Sequence, residues 1–179
     1  MASAMSANLW QPEGAYDSLA TVTLTGSTAS LTFSGIPSTY KHLQIRGIAR
    51  NTGTTSSGLG IQLNGDTAAN YSWHRLYGDG SSATAYGEPN STIFGQINIT
   101  QSNQTASAFG AFVVDILDYA NTSKFKTGRI LHGRDLNGSG TVALASSNWR
   151  NTNAITSITM FPAADNLDQY SSFALYGIR

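Results

Sequence analysis

Residues 109–117 read FGAFVVDIL, the most apolar run in the chain, and their reading decides the fold. Apolar side chains occupy both parities, which places the run as a central strand covered on both faces. Working outward, the flanking segments alternate with the period of two that a half-buried strand requires. Val22 and Leu24 alternate with threonines, Leu31 and Phe33 flank Thr32, and Leu43, Ile45 and Ala49 alternate with His42, Gln44, Arg46 and Arg50. Leu59, Ile61 and Leu63 repeat the pattern, as do Ile93, Ile97 and Ile99. Val142 and Leu144, Ile158 and Met160, and Phe173 and Leu175 follow, each run expected to bury one face.

Turn signals fall between these runs: Gly26-Ser27, Gly35-Ile36-Pro37, Asn64-Gly65-Asp66, Asp79-Gly80 and Asn137-Gly138. Gly and Asn supply positive φ there, and Pro presets a turn. Nine or ten short strands result, with one helical turn expected around Ala163 to Leu167 and an exposed loop over residues 50–58. The fold class is therefore all-β: a two-sheet antiparallel sandwich, jelly-roll in topology, with an open barrel as the alternative. Residues 1–18 lack alternation and are read as an extended N-terminal arm docking through Trp10, Pro12 and Tyr16; residues 19–179 form the β-sandwich domain.

Only 11% of the 179 residues are charged, and ten basic residues balance ten acidic ones. A soluble domain carries roughly 25%. The absence of a net field argues against nucleic acid or an anionic membrane surface as partner. Ser, Thr, Asn and Gly together make 73 of the 179 residues, so polarity resides in hydroxyls, amides and backbone. With no cysteine, disulfides and thiolate chemistry are excluded. No stretch reaches the ~20 apolar residues of a helical membrane span, and the first twenty lack a signal-peptide pattern, which leads to the expectation of synthesis in a cytoplasm.

Tests for catalysis find little. His42, His74 and His132 fall in different strands without metal-ligand spacing. Asp115 and Asp118, three apart, point to opposite faces of a strand, which argues against a carboxylate pair aimed into one cleft. Asp115 is instead expected to pair with a cation such as Arg129. Asp135, Asn137 and Ser139 match the first half of a calcium loop, but Ser146 stands where the bidentate Glu belongs, which favours a polar hairpin turn with an Asx-type bond. No cofactor or enzymatic activity is expected.

Aromatic side chains beside Arg, Asn and His are the stronger signal. Trp73, His74, Arg75 and Tyr77 lie together, and Trp149-Arg150, Tyr71 and Tyr86 have similar surroundings. If exposed, such groups stack on sugar rings or anchor protein interfaces; packing at the ends of the sandwich is the third reading. A carbohydrate-binding module built on Trp73, Tyr77 and Trp149 is accordingly one functional class.

Four blocks carry a resemblance: SLTFSGIPSTYKHLQIRGIAR (30–50), NGDTAANYSWHRLYGDG (64–80), VVDILDYANTSKFKT (113–127) and SSFALYGIR (171–179). Together they resemble small structural proteins of tailed bacteriophage virions, of the tail-fibre or capsid-associated type. None is a catalytic signature, and no functional residue carries over. The resemblance implies a non-enzymatic component of the virion, either capsid-decorating, head-fibre or short tail appendage. Its implied partners are other copies of itself in a homotrimer, other virion proteins and a host surface glycan. The charge-bearing segments His42–Arg50, Trp73–Tyr77 and Lys124–Arg134 are expected to line such contacts.

Overall fold

A computed structural model describes residues 14–179. Twelve strands follow in order: β1 (Tyr16–Thr23), β2 (Leu31–Phe33), β3 (His42–Ala49), β4 (Gly58–Leu63), β5 (Tyr71–Gly78), β6 (Ala83–Ser91), β7 (Gln96–Asn98), β8 (Gly110–Leu117), β9 (Lys126–Asp135), β10 (Gly140–Trp149), β11 (Ile158–Pro162) and β12 (Ser172–Ile178). They form two antiparallel sheets, and the described residues contain no helix. The larger sheet has eight strands ordered β1-β12-β3-β8-β9-β10-β5-β6, and the smaller has four ordered β2-β11-β4-β7. The alternation thus forms the all-β, two-sheet sandwich it predicts.

The core lies between the sheets. Leu43 and Ile45 of β3, Val114 and Ile116 of β8 and Phe173 of β12 face Ile61 and Leu63 of β4, Ile97 of β7, and Ile158 and Met160 of β11, all fully buried. Each such side chain contributes about 1.5–3 kcal/mol of transfer free energy. The Asn137-Gly138 signal makes the expected hairpin between β9 and β10. Both residues have positive φ (59° and 106°), and Leu136 N–H donates to the Ser139 carbonyl at 2.8 Å.

Several expectations are corrected. β8 is central but covered on one face only: Phe112, Val114 and Ile116 are buried, whereas outward Val113, Asp115 and Leu117 are half-exposed and Ala111 is exposed. On β10 the inward residues are Ala143 and Ala145, and Val142 and Leu144 point outward into solvent. β1 begins at Tyr16, so residues 16–18 are strand; Trp10 and Pro12 lie outside the described residues. Tyr16 packs edge-on to Tyr176 at 6.3 Å, with the Arg46 guanidinium over both rings. Residues 163–167 form a bend with Asp165 at φ 62°, because Leu167 is drawn into the core and bonds in both directions with Thr28.

The segment 50–58 is anchored rather than fully exposed, since Arg50 and Asn51 are both buried. The Arg50 guanidinium donates to the carbonyls of Thr105 and Ala108 at 2.9 Å, Ser102 at 3.0 Å and Gln104 at 3.3 Å, and lies 3.7 Å from Asp168. One cation thereby satisfies the backbone of the loop before β8, which has no strand partner of its own. Replacing it by lysine keeps the charge and loses the planar fork. Arg50→Lys is expected to destabilise the fold by about 2–3 kcal/mol, lowering Tm by roughly 5–10 °C in a calorimetric scan. A change under about 2 °C would contradict this role.

Candidate interaction surface

Beyond β8, strands β9, β10, β5 and β6 widen the large sheet, with β9 still packed on β7 of the small one. The sequence-predicted aromatic residues all lie on this extension or at its end, but their exposure differs from the expectation. Trp149 is 1% exposed, stacked on Tyr71 at 6.2 Å, and its Nε1 donates to Asp66 Oδ2 at 2.7 Å. Asp66 also accepts from Ala68 N–H and Asn70 Nδ2, each at 3.0 Å. Burial works to raise the Asp66 carboxyl, and these donors outweigh it, holding the group below the usual carboxylate range. Trp73 is 7% exposed and donates to Ser91 Oγ at 3.2 Å. Neither indole presents a free stacking face. Both fill the end of the core because their strands place them on the inward parity.

Arg75 shares that inward face. Its neighbours two positions away on β5, Trp73 and Tyr77, and Tyr86 directly opposite on β6 hold its guanidinium at 5.6, 5.6 and 5.1 Å from their ring centroids. Tyr86 is half-exposed and is the open edge of this cluster. Arg150 clamps the base of the β5–β6 hairpin through the carbonyls of Ala69 at 2.6 Å and Pro89 at 2.7 Å. Sequence spacing signalled Trp73, Arg75 and Tyr77 as a group; the contribution of Tyr86 follows only from strand pairing.

The outward face is different. Strand register sets Val113, Leu131, Leu144, Leu76 and Ala85 side by side across β8, β9, β10, β5 and β6. The adjacent row is Ala111, Gly133, Val142, Gly78 and Ala83. Leu76, Leu131, Val142 and Leu144 are exposed by 60, 53, 59 and 55%. Four large aliphatic groups in adjoining positions form a continuous patch, unlike the single exposed residues that any surface carries. On the other flank of the leucine row, Asp115 accepts from Gln44 Nε2 at 2.7 Å and lies 3.9 Å from Arg129, the partner that its sequence position predicts. His74 lies outward over Gly87, where a β-carbon would meet its ring at 2.6 Å. Apart from Arg50, Lys124 and Phe125, the segments His42–Arg50, Trp73–Tyr77 and Lys124–Arg134 run in strands of this one sheet.

The Asp135 region is the polar hairpin turn, with Asp135 Oδ1 accepting from Asn137 N–H at 2.9 Å. Among the described residues no three His, Asp or Glu converge to hold a metal ion, so Asp135, Asn137 and Ser139 stand without further ligands of those types. Asp118 lies past the end of β8 at φ 48° and pairs with Lys124.

His132 is buried on the inward face, where its Nδ1 accepts from Asn98 N–H at 3.2 Å. Burial first, then Arg75 and Arg134, pushes its pKa down to about 4. The folded chain therefore keeps the ring neutral where the unfolded chain protonates it. Stability from this group is full above pH 6.5 and falls as pH drops toward 4, by up to about 3 kcal/mol. Tm measured from pH 7 to 4 should fall, and His132→Gln, which retains an acceptor for Asn98, should flatten that fall. An unchanged slope in the variant would contradict the assignment.

The chain is thus an all-β, two-sheet protein whose larger sheet leaves one face uncovered. Comparison with protein-family models, with curated proteins and with solved structures returns no match.

Proposed function

We propose that this protein is a non-enzymatic structural component of a tailed bacteriophage virion, built in the host cytoplasm and packed into the particle through the outward face of its eight-stranded sheet. The observation that carries the reading is that face: a patch of leucine and valine with few charges, on a single rigid sheet. Leaving it in water forgoes the hydrophobic stabilisation that covering it would supply, and a patch of this kind marks a site of association. The resemblance of four sequence blocks to virion proteins gives the setting, either capsid decoration, head fibre or short tail appendage. It also implies copies of the chain, in a threefold assembly, and other virion proteins as partners.

We read the strand order as a jelly roll. Strands β1-β12-β3-β8 oppose β2-β11-β4-β7, and the hairpins β5–β6 and β9–β10 are insertions that widen one sheet. Jelly rolls serve in capsid and lectin domains alike, so the fold supports assembly and glycan binding equally, by analogy alone. For a carbohydrate-binding module, the exposed ring of the group around Trp73 is Tyr86, beside Arg75 and Tyr77, since both tryptophans nearby are buried.

Mass spectrometry of purified particles tests the reading. The chain is expected in stoichiometric amount, and Leu144→Lys, at an exposed position that folding does not need, is expected to reduce incorporation at least ten-fold with Tm unchanged. Absence of the chain from particles, together with glycan-array binding that Tyr86→Ala abolishes, would replace this reading with the carbohydrate module.

A further inference from the structure

We propose that the occupant of the outward face is the same face of a second copy, related by a two-fold axis that lies in the interface, runs across the strands and passes between the leucine and glycine rows. The proposal rests on the reading of this face as an assembly surface, adds its partner and register, and puts a two-fold pair in place of the threefold arrangement that the resemblance implies.

The register carries it. Rotation about such an axis exchanges the two rows strand by strand. On β9 it brings Leu131 of one copy over Gly133 of the other, on β5 Leu76 over Gly78, and on β10 Leu144 over Val142. The two outer leucines of the ridge each meet a position without a side chain, and the reciprocal contacts repeat by symmetry, as an isologous interface demands. One step further out the operation sets Arg129 opposite Asp135. Both are exposed, so two charge pairs of opposite sign flank the apolar centre. On β10 the same step places Ser146 against Gly140, two small groups that allow close approach.

The size also agrees. From β8 to β6 the face is five strands wide and eight residues long, roughly 24 by 27 Å at ordinary strand spacing, or about 650 Å² in projection. A standard interface takes about 800 Å² from each partner. The native twist turns two packed sheets by about 30°, so the match is closest around β10 and loosens toward the rims. An unrelated protein would have no reason to supply both the two side-chain-free positions, Gly133 and Gly78, opposite the outer leucines and the reciprocal charges; a second copy supplies them by symmetry.

Sedimentation equilibrium or light scattering on the full chain tests this, with a two-chain mass expected at micromolar concentration. Gly78→Val is the most direct variant. A β-carbon at 78 meets only Ser82 O at 3.8 Å and Val142 Cγ1 at 3.9 Å, so the monomer accommodates it. By filling the position that receives Leu76 of the other copy, it should weaken pairing at least ten-fold and leave Tm of the monomer unchanged or higher. Arg129→Asp and Asp135→Arg alone should each weaken pairing about ten-fold, and together restore it to within about three-fold of wild type. A one-chain or three-chain mass for the wild type overturns the proposal, as does pairing indifferent to Gly78→Val. Pairing that the double charge reversal fails to restore overturns the two-fold register. A monomeric wild type whose Leu144→Lys variant still loses its place in the particle would overturn self-pairing alone and leave the assembly surface standing.

Discussion

Eight strands of one sheet face four of the other. At 4.7–4.9 Å per strand, a sheet about 38 Å wide cannot be covered by one about 19 Å wide. The strands β1, β12, β3 and β8 share a core with the small sheet, which Ile130 of β9, Ala145 and Trp149 of β10 and Tyr71 of β5 extend, and the rest of the four strands beyond must find other cover. Their inward face is closed by aromatic side chains, by His132 and by the segment before β8. Their outward face, which no second sheet covers in a two-layer sandwich, carries leucines and valine in water, and the proposed function follows from that patch.

The scarcity of charge has a structural use. Arg50, Lys126, Arg134 and Arg150, four of the ten cationic side chains, spend their donors on backbone carbonyls of loops that have no strand partner. Lys126 is fully buried, and burial lowers its pKa while carbonyls of Lys124 and Thr152 receive its ammonium at 3.1 and 2.9 Å. Buried cations placed in this way tie long connections to the sandwich, a task that disulfides perform in chains with cysteine. Few charges then remain for the outward face, and the face is correspondingly neutral and apolar.

Much of the fold was legible from period alone. Alternation at Leu43, Ile45, Leu59, Ile61 and Leu63 signals their burial, and all five lie on the core-facing parity and are fully buried. The same rule misplaces Val142 and Leu144. Alternation establishes that two parities differ but not which one faces the core, and on β10 the inward positions hold Ala143 and Ala145, opposite the bulky His132 and Tyr77, and Ile130 and Arg75. Likewise Trp73 and Trp149 are visible in sequence as aromatic groups, but their burial depends on strand parity and on Asp66 and Ser91, which lie many positions away. Arg50 gave no signal, since its acceptors are carbonyls some fifty residues later in the chain. The outward patch emerges only when β9, β10 and β5 are set in register.

The central claim is that this patch is covered in the working form of the protein, and hydroxyl-radical footprinting of the native assembly measures that directly. Leu76, Leu131, Val142 and Leu144 should be oxidised several-fold less in the assembly than in dissociated chains, while Tyr170, 66% exposed and away from the patch, serves as an unprotected control. Oxidation of the four aliphatic residues at the same rate in both states, with Tyr170 unchanged, would contradict the account.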